Sequence, residues 1–277
     1  MSRISLSRAK TISKMATTLS KDGTIITYDK TGQGPALILV AGAFQDRMAM
    51  GAYAGLLSEH FTVYNYDRRG RGESDDTQPY AVEREIEDID ALIQEAGGSA
   101  FVFGGSSGGV LTLDAAAHGL NITKLVVYEP PFVVDDSREP PPENIVDQLK
   151  DLIASGRRED AAETFMTKGS RMPADMVAGM RTQPFWPSVE AVAHTLVYDA
   201  TIMEGTMQGG PLPLDRWKAV TIPTLVIYGG AGPAWSRNAA ETLVELLPNA
   251  ERRALEGQFH DLTPDVLTPV LEKFFLA

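Results

Sequence analysis

Residues 100–120, AFVFGGSSGGVLTLDAAAHGL, decide how this chain is read. An apolar run at 100–103 meets a glycine-rich break at 104–109, followed by an Ala- and Leu-rich stretch with helical spacing. Strand, tight turn and helix form the context in which G-x-S-x-G presents a nucleophile. A serine held in such a turn has unfavourable φ/ψ, and small neighbours are needed where strand and helix pass close to it. Gly104-Gly105-Ser106-Ser107-Gly108 fits with Ser106 in the centre. Gly105-Ser106-Ser107-Gly108-Gly109 fits equally with Ser107 there. The apolar strand runs more naturally into a first glycine at 104, which favours Ser106. The plainer alternative is a turn that only packs strand on helix.

Outward from this motif, short apolar runs alternate with helical periods. ALILVAG (36–42), FTVYNYD (61–67), KLVVYEP (124–130) and TLVIYGG (224–230) are near-continuous, as strands buried on both faces require. Another strand begins near TIITYDK (24–30), and ERRALEG (251–257) is a weaker candidate. Between them, Val82, Ile86, Ile89, Leu92 and Ile93 form one helical stripe, and Val266, Leu267, Val270, Leu271, Phe274 and Phe275 form another. The alternation predicts an α/β protein with a mostly parallel sheet and helices on both faces.

The alternation breaks once, after KLVVYEP. No buried strand follows until residue 224, and a structureless loop of that length is improbable in a compact domain. The segment reads as a helical insertion over 131–216, with Pro140, Pro141 and Pro142 at its start and Pro211 and Pro213 at its end. The core then comprises 21–130 and 217–277. Residues 1–20 read as a flexible N-terminal tail. Arg3, Arg8, Lys10 and Lys14 make the tail basic, but it lacks the apolar segment of a secretory signal.

A composition of 43% hydrophobic and 22% charged residues is that of an ordinary globular protein. The net charge of −12 argues against nucleic acid or an anionic membrane as a partner. No apolar run approaches the ~18 residues of a membrane span. The absence of cysteine excludes disulfides and thiolate chemistry and fits a reducing compartment, with the cytoplasm as the expected location. Neither H-E-x-x-H nor a nucleotide-binding glycine motif occurs, so no metal or other cofactor is expected. The sequence leaves the oligomeric state open.

A serine hydroxyl needs a neighbouring base, and the chain has four histidines. His60 precedes FTVYNYD at the sheet's amino edge. His118 ends the helix that Ser106 begins, and His194 lies in the insertion. His260, in LEGQFHDLTP, follows the last strand candidate, where a loop returns over the carboxyl edge, and is the expected base. Two backbone N–H groups must face the developing oxyanion. Ser107 supplies one by its position, and Ala43, in the Gly42-Ala43-Phe44 loop after ALILVAG, is assigned the other.

Taken together, LILVAGAF, YDRRGRGES, GGSSGG, LVVYEPPF, LVIYGG and the terminal histidine loop resemble the α/β-hydrolase superfamily, in its order and from about residue 20 onward. The resemblance implies an eight-stranded, mostly parallel sheet with a helical lid inserted after the sixth strand. It also makes one departure visible. Members commonly carry the catalytic acid after strand seven, where this chain has Gly229-Gly230-Ala231-Gly232. Some lid-bearing relatives, including certain haloalkane dehalogenases, place a carboxylate just after strand six, and that position here is Glu129. A glutamate at a central strand's carboxyl end points into the same crevice as Ser106 and His260, and the order Ser, acid, His is kept. Asp261 and Asp67 are rivals, and Glu129 as a cap or an arginine partner is the plain alternative. The usual His-Gly pair ahead of the oxyanion loop is Ala41-Gly42, which puts the rigidity of that loop in doubt.

A serine rather than an aspartate nucleophile argues for acyl transfer to water. The expected activity is hydrolysis of a small-molecule carboxylic ester, lactone or thioester. The insertion holds Met166, Met172, Met176, Met180, Met203 and Met207 together with Phe185 and Trp186. Methionine adapts to irregular apolar shapes, so Phe44, Phe185, Trp186 and Met203 are candidate contacts for a small or medium hydrophobic group. The same residues serve equally well as the insertion's own core. A lyase or cofactor-free oxygenase on the same scaffold, or a non-catalytic ligand-binding homologue, stays open as an alternative.

Overall fold

The computed structural model describes residues 13–261 and 263–277. Its eight strands are β1 (Lys14–Leu19), β2 (Ile25–Thr31), β3 (Ala36–Val40), β4 (Thr62–Tyr66), β5 (Ala100–Gly105), β6 (Ile122–Tyr128), β7 (Thr224–Gly229) and β8 (Ala250–Leu255). They form one sheet in the order β1-β2-β4-β3-β5-β6-β7-β8. Only the β1–β2 and β2–β4 pairings are antiparallel.

Continuous apolar strands mean that both faces are covered, and β3 shows how. Leu37 and Leu39 join a cluster with α1 (Gly51–Leu57) and the C-terminal helix (Pro264–Phe275). Ile38 and Val40 face the opposite cluster, with α2 (Val82–Glu95) and α3 (Ser107–Ala117). All four side chains have no exposed surface. Strand order reverses beside β3: the chain leaves it toward β4 on one side, whereas β5 lies on the other. Loops at such a switch point diverge and open a crevice beyond the strands' carboxyl ends. The loop that follows β3 carries residues 41–45, and the turn from β5 into α3 carries Ser106.

Between β6 and β7 the chain forms α4 (Ile145–Ala154), α5 (Arg158–Thr164), α6 (Ala174–Arg181), α7 (Trp186–Val192), α8 (Leu196–Ile202) and the short α9 (Leu214–Trp217). These helices lie within the segment read as an insertion, apart from the last residue of α9. A π-helical turn, Phe165–Gly169, follows α5. Beyond β7, α10 (Ala234–Leu246) packs on the sheet, and Pro264–Phe275 is α11. Among the described residues no helix is long and apolar enough to cross a membrane.

One boundary needs correction. Residues 14–19, expected in a flexible tail, pair with β2 from Lys14↔Lys30 to Leu19↔Ile25. The turn between them is built by Gly23 at φ 87° and by Asp22 Oδ1, which accepts the Thr24 N–H at 3.0 Å. β1 is a mostly exposed edge strand. Its side chains therefore lack the apolar run that marks the central strands. Residues 1–12 of the expected tail lie outside the described residues.

Candidate active site

Ser106 stands between β5 and α3 with φ 53° and ψ −126°, a conformation that strains any residue with a Cβ. The surroundings enforce it. The Ser106 N–H donates to Tyr128 O at 2.8 Å, and its carbonyl accepts the Gly109 N–H at 2.9 Å. A Cβ at Gly104 would lie 2.6 Å from Gly108 O, and one at Gly108 would lie 2.5 Å from Val40 O. Strand and helix thus close on each other at backbone distance. Ser107 is fully buried, and its hydroxyl donates to Asp199 Oδ1 at 2.7 Å. Ser106 Oγ has no hydrogen-bond partner among the described residues. The two hydroxyls of the ambiguous frame therefore differ: that of Ser107 is committed to the interior, and that of Ser106 is not hydrogen-bonded among the described residues.

Glu129, one residue beyond β6, also has a positive φ, 41°. Its buried carboxylate is shared between two partners. Oε1 accepts the Gly229 N–H at 2.8 Å, and Oε2 lies 2.6 Å from His260 Nδ1. The carboxylate is 1% exposed and the imidazole 50%, so the pair has a dry end and a wet end. Tyr128 fixes the histidine loop by donating its hydroxyl to Phe259 O at 2.5 Å. Among the rivals, Asp67 accepts N–H groups of Arg47 and Glu73 at 2.8 and 2.9 Å and braces its own loop. Asp261 is exposed and makes no hydrogen bond to His260 among the described residues.

The glycines after β7 now have a reason. A Cβ at Gly229 would lie 2.5 Å from Gln258 O, because the histidine loop crosses directly over it. Gly230 N–H donates to Leu255 O, and Ala231 N–H to Gln258 O. A Cβ at Gly232 would come 3.6 Å from Glu129 Oε1. The position that lacks an acid therefore abuts the carboxylate that is present.

The loop after β3 borders the nucleophile, since a Cβ on Gly42 would lie 3.1 Å from Ser106 Cβ. Gln45 Oε1 accepts the Gly42 N–H at 3.0 Å. Arg71 Nη1 donates to Gly42 O at 2.5 Å and to Gln45 O at 3.1 Å, and Arg68 Nη1 donates to Ala41 O at 3.3 Å. These contacts give the loop the bracing that the missing histidine left in doubt. The Ala43 N–H has no acceptor among the described residues, and the Ser107 N–H, at the first position of α3, has none within the helix.

The Alpha/beta hydrolase family model matches residues 37–265. The chain belongs to this family. A solved alpha/beta hydrolase from Sphaerobacter thermophilus DSM 20745 is 52% identical over 94% of this chain and all of that one, with a TM-score of 0.88. An uncharacterized hydrolase, YraK, from Bacillus subtilis (strain 168) is 34% identical over 41% of this chain, and the match spans 44% of YraK. An esterase from Exiguobacterium antarcticum shares the fold at a TM-score of 0.72, with 18% identity, covering 95% of this chain and 99% of its own.

In this α/β-hydrolase the four expected substrate contacts are placed apart. Phe44, at φ 63°, meets the Phe165 ring edge to face at 5.5 Å. Phe165 and Met203 both line a cavity of about 180 Å³ in the insertion, with Ile145, Val146, Ala200 and Met207. Trp186 and Phe185 do not line it. Trp186 is buried in the insertion's own core, and Phe185, one residue away and so about 100° around the helix, is 46% exposed. The remaining histidines have other partners or are exposed: His118 Nδ1 lies 2.8 Å from Asp114 O, His60 is exposed, and His194 is half-buried 3.9 Å from Asp76. Among the described residues no group of three or more His, Asp or Glu could hold a metal ion.

Sequence reasoning missed Asp199. It is fully buried and takes Arg68 Nη1 at 2.7 Å, Arg71 Nη2 at 2.6 Å and the Ser107 hydroxyl. The only available signal was the density of arginines in YDRRGRGES, since buried guanidiniums require acids from somewhere.

Proposed function

We propose that this α/β-hydrolase cleaves carboxylic esters of small to medium hydrophobic substrates, with Ser106 as nucleophile, His260 as base and Glu129 as the acid. The 2.6 Å contact between His260 Nδ1 and Glu129 Oε2 carries this reading. With the Nδ1 proton held by the carboxylate, Nε2 is left as the free acceptor, and the imidazolium formed during reaction is stabilised by the same contact. Ser106 Oγ attacks the acyl carbon while its proton passes to His260 Nε2. The oxyanion takes the N–H groups of Ala43 and Ser107. The C–O bond then breaks, the alcohol leaves with the proton from His260, and water repeats the sequence to release the acid. Ser106 Oγ has no hydrogen-bond partner among the described residues, and catalytic hydrogen bonds of this kind commonly tighten only with substrate bound. The Phe44–Phe165 pair beside the oxyanion loop supports an apolar substrate group there.

The test is turnover of a short-chain p-nitrophenyl ester, together with the burst of nitrophenol that reports an acyl-enzyme. Ser106→Ala is expected to lower kcat by ~10⁴-fold or more, and Glu129→Gln by about 10³–10⁴-fold. Asp261→Asn should stay within about threefold of wild type, as an exposed side chain outside the triad. A folded wild type with neither turnover nor burst would overturn the ester reading and bring forward the lyase or ligand-binding alternatives.

A further inference from the structure

Asp199, on α8 of the insertion, touches the machinery on both sides of Ser106. One oxygen accepts the hydroxyl of Ser107, whose backbone N–H is one oxyanion donor. The other accepts Arg71 Nη2, and that guanidinium continues to the carbonyls of Gly42 and Gln45, which bracket Ala43. Arg68 adds a parallel path, from Asp199 Oδ1 to Ala41 O. Arg71 is also held by the insertion through Thr195 Oγ1, 3.1 Å from its Nε. Every one of these side chains is buried to within a percent or so of completely, so each bond acts in a low dielectric and has no water to substitute for it.

The charges close on themselves. Arg68 takes both oxygens of Glu85 at 2.6 and 2.7 Å, so two guanidiniums face two carboxylates. Burial alone would push the Asp199 carboxyl up, but Arg71, Arg68 and the Ser107 hydroxyl hold it below the ordinary carboxylate range. The acid stays ionised and both arginines stay in place. A carbonyl fixed by a guanidinium fixes the peptide plane it belongs to, and the next N–H in the chain is therefore aimed. The plane through Gly42 O contains the Ala43 N–H.

We infer that Asp199 is a positioning residue that aims both oxyanion donors, so that the insertion sets the geometry of the oxyanion hole. This rests on the serine-hydrolase reading above. It assigns the insertion a part in the chemical step.

The experiment compares a p-nitrophenyl ester with the corresponding thionoester, whose sulfur takes hydrogen bonds from the oxyanion donors weakly. In Asp199→Asn, which misaims the donors without removing them, kcat on the ester should fall by ~30–100-fold, somewhat less than the ~10²–10³-fold lost on removing one oxyanion donor. KM should stay within about twofold, and kcat on the thionoester should fall much less, so that the ester-to-thionoester ratio collapses. Asp199→Asn leaves an uncompensated buried cation and is destabilising. Ser107→Ala, which removes one arm without changing charge, is measured beside it and should lower the ratio by ~5–10-fold. Equal loss on both substrates in the folded variants, or no loss on either, overturns the inference while the esterase reading stands. A wild type that neither turns over the ester nor is labelled at Ser106 by a fluorophosphonate overturns both.

Discussion

Glu129 serves two groups with one carboxylate, and that arrangement makes its replacement informative. Glutamine keeps the Gly229 N–H bonded but can no longer stabilise an imidazolium, so loss in Glu129→Gln should fall on kcat with KM little changed. Gly232 offers a stronger test. Its missing Cβ would lie 3.6 Å from Glu129 Oε1, so an aspartate there enters the space that the glutamate carboxylate occupies. In a Glu129→Ala background, Gly232→Asp should recover at least about tenfold of the lost kcat. In the wild-type background it should recover nothing and lower activity, since two carboxylates would compete for one histidine. Steady-state kinetics on the four proteins decides it. Glu129 as a candidate acid was legible only through the family resemblance, which implies a carboxylate just after strand six. The reason for the Gly229–Gly232 run was not, because the loop that crosses it comes from residues 258–259.

Elements hold this site through close approach, and the glycines of the β5–α3 turn differ in what they tolerate. A Cβ at Gly104 or Gly108 meets backbone oxygens at 2.6 and 2.5 Å, whereas one at Gly105 meets only the Phe103 ring, at 4.0 Å. Gly104→Ala and Gly108→Ala should each cost about 1–3 kcal/mol in chemical denaturation. Gly105→Ala should stay within about 0.5 kcal/mol. The strand–turn–helix was evident from its composition, but which glycine bears the contact depends on β3 passing behind α3. A second element-scale feature is the β1–β2 turn. Asp22 accepts from Arg69 Nη1 and the Thr24 N–H, both at 3.0 Å. Partial burial opposes its ionisation, yet these bonds hold its carboxyl down to about 2. A carboxyl whose folded value lies below its unfolded one, about 3.9, stabilises the fold above that value. Its contribution disappears as pH falls toward about 2. Asp22→Asn should therefore lower stability at neutral pH and flatten the acid limb of the stability profile between about pH 4 and pH 2.

For the whole molecule, the insertion is tied to the core by buried acids at two places. Asp199 is one. At the other, Asp114 of α3 receives Arg216 through both oxygens, at 2.8 and 2.7 Å, and the Trp217 indole N–H at 2.8 Å. Removing this acid strands a guanidinium and a buried indole N–H. Asp114→Ala should cost about 2–4 kcal/mol and lower Tm by roughly 5–10 °C. The loss of kcat at a temperature well below the transition should be small, because this anchor does not reach the loop over 41–45. A differential scan and an ester assay on the same sample separate the two effects.

By itself the sequence determined what is local and periodic. It determined the alternation of buried strands and amphipathic helices, the tight turn at Ser106 and the break after β6, and by elimination it singled out His260 as the expected base. These follow from side-chain volume, φ/ψ cost and hydrophobic spacing, which act over a few residues. Only the tertiary structure decided which partners meet from segments far apart in the chain. Ser107 meets Asp199, Glu129 meets Gly229 and His260, and Arg71 meets the carbonyls beside Ala43. Buried charges and hydroxyls demand partners, but their own neighbours in the chain do not say which distant segment supplies them. The order of strands and the path of the insertion decide that.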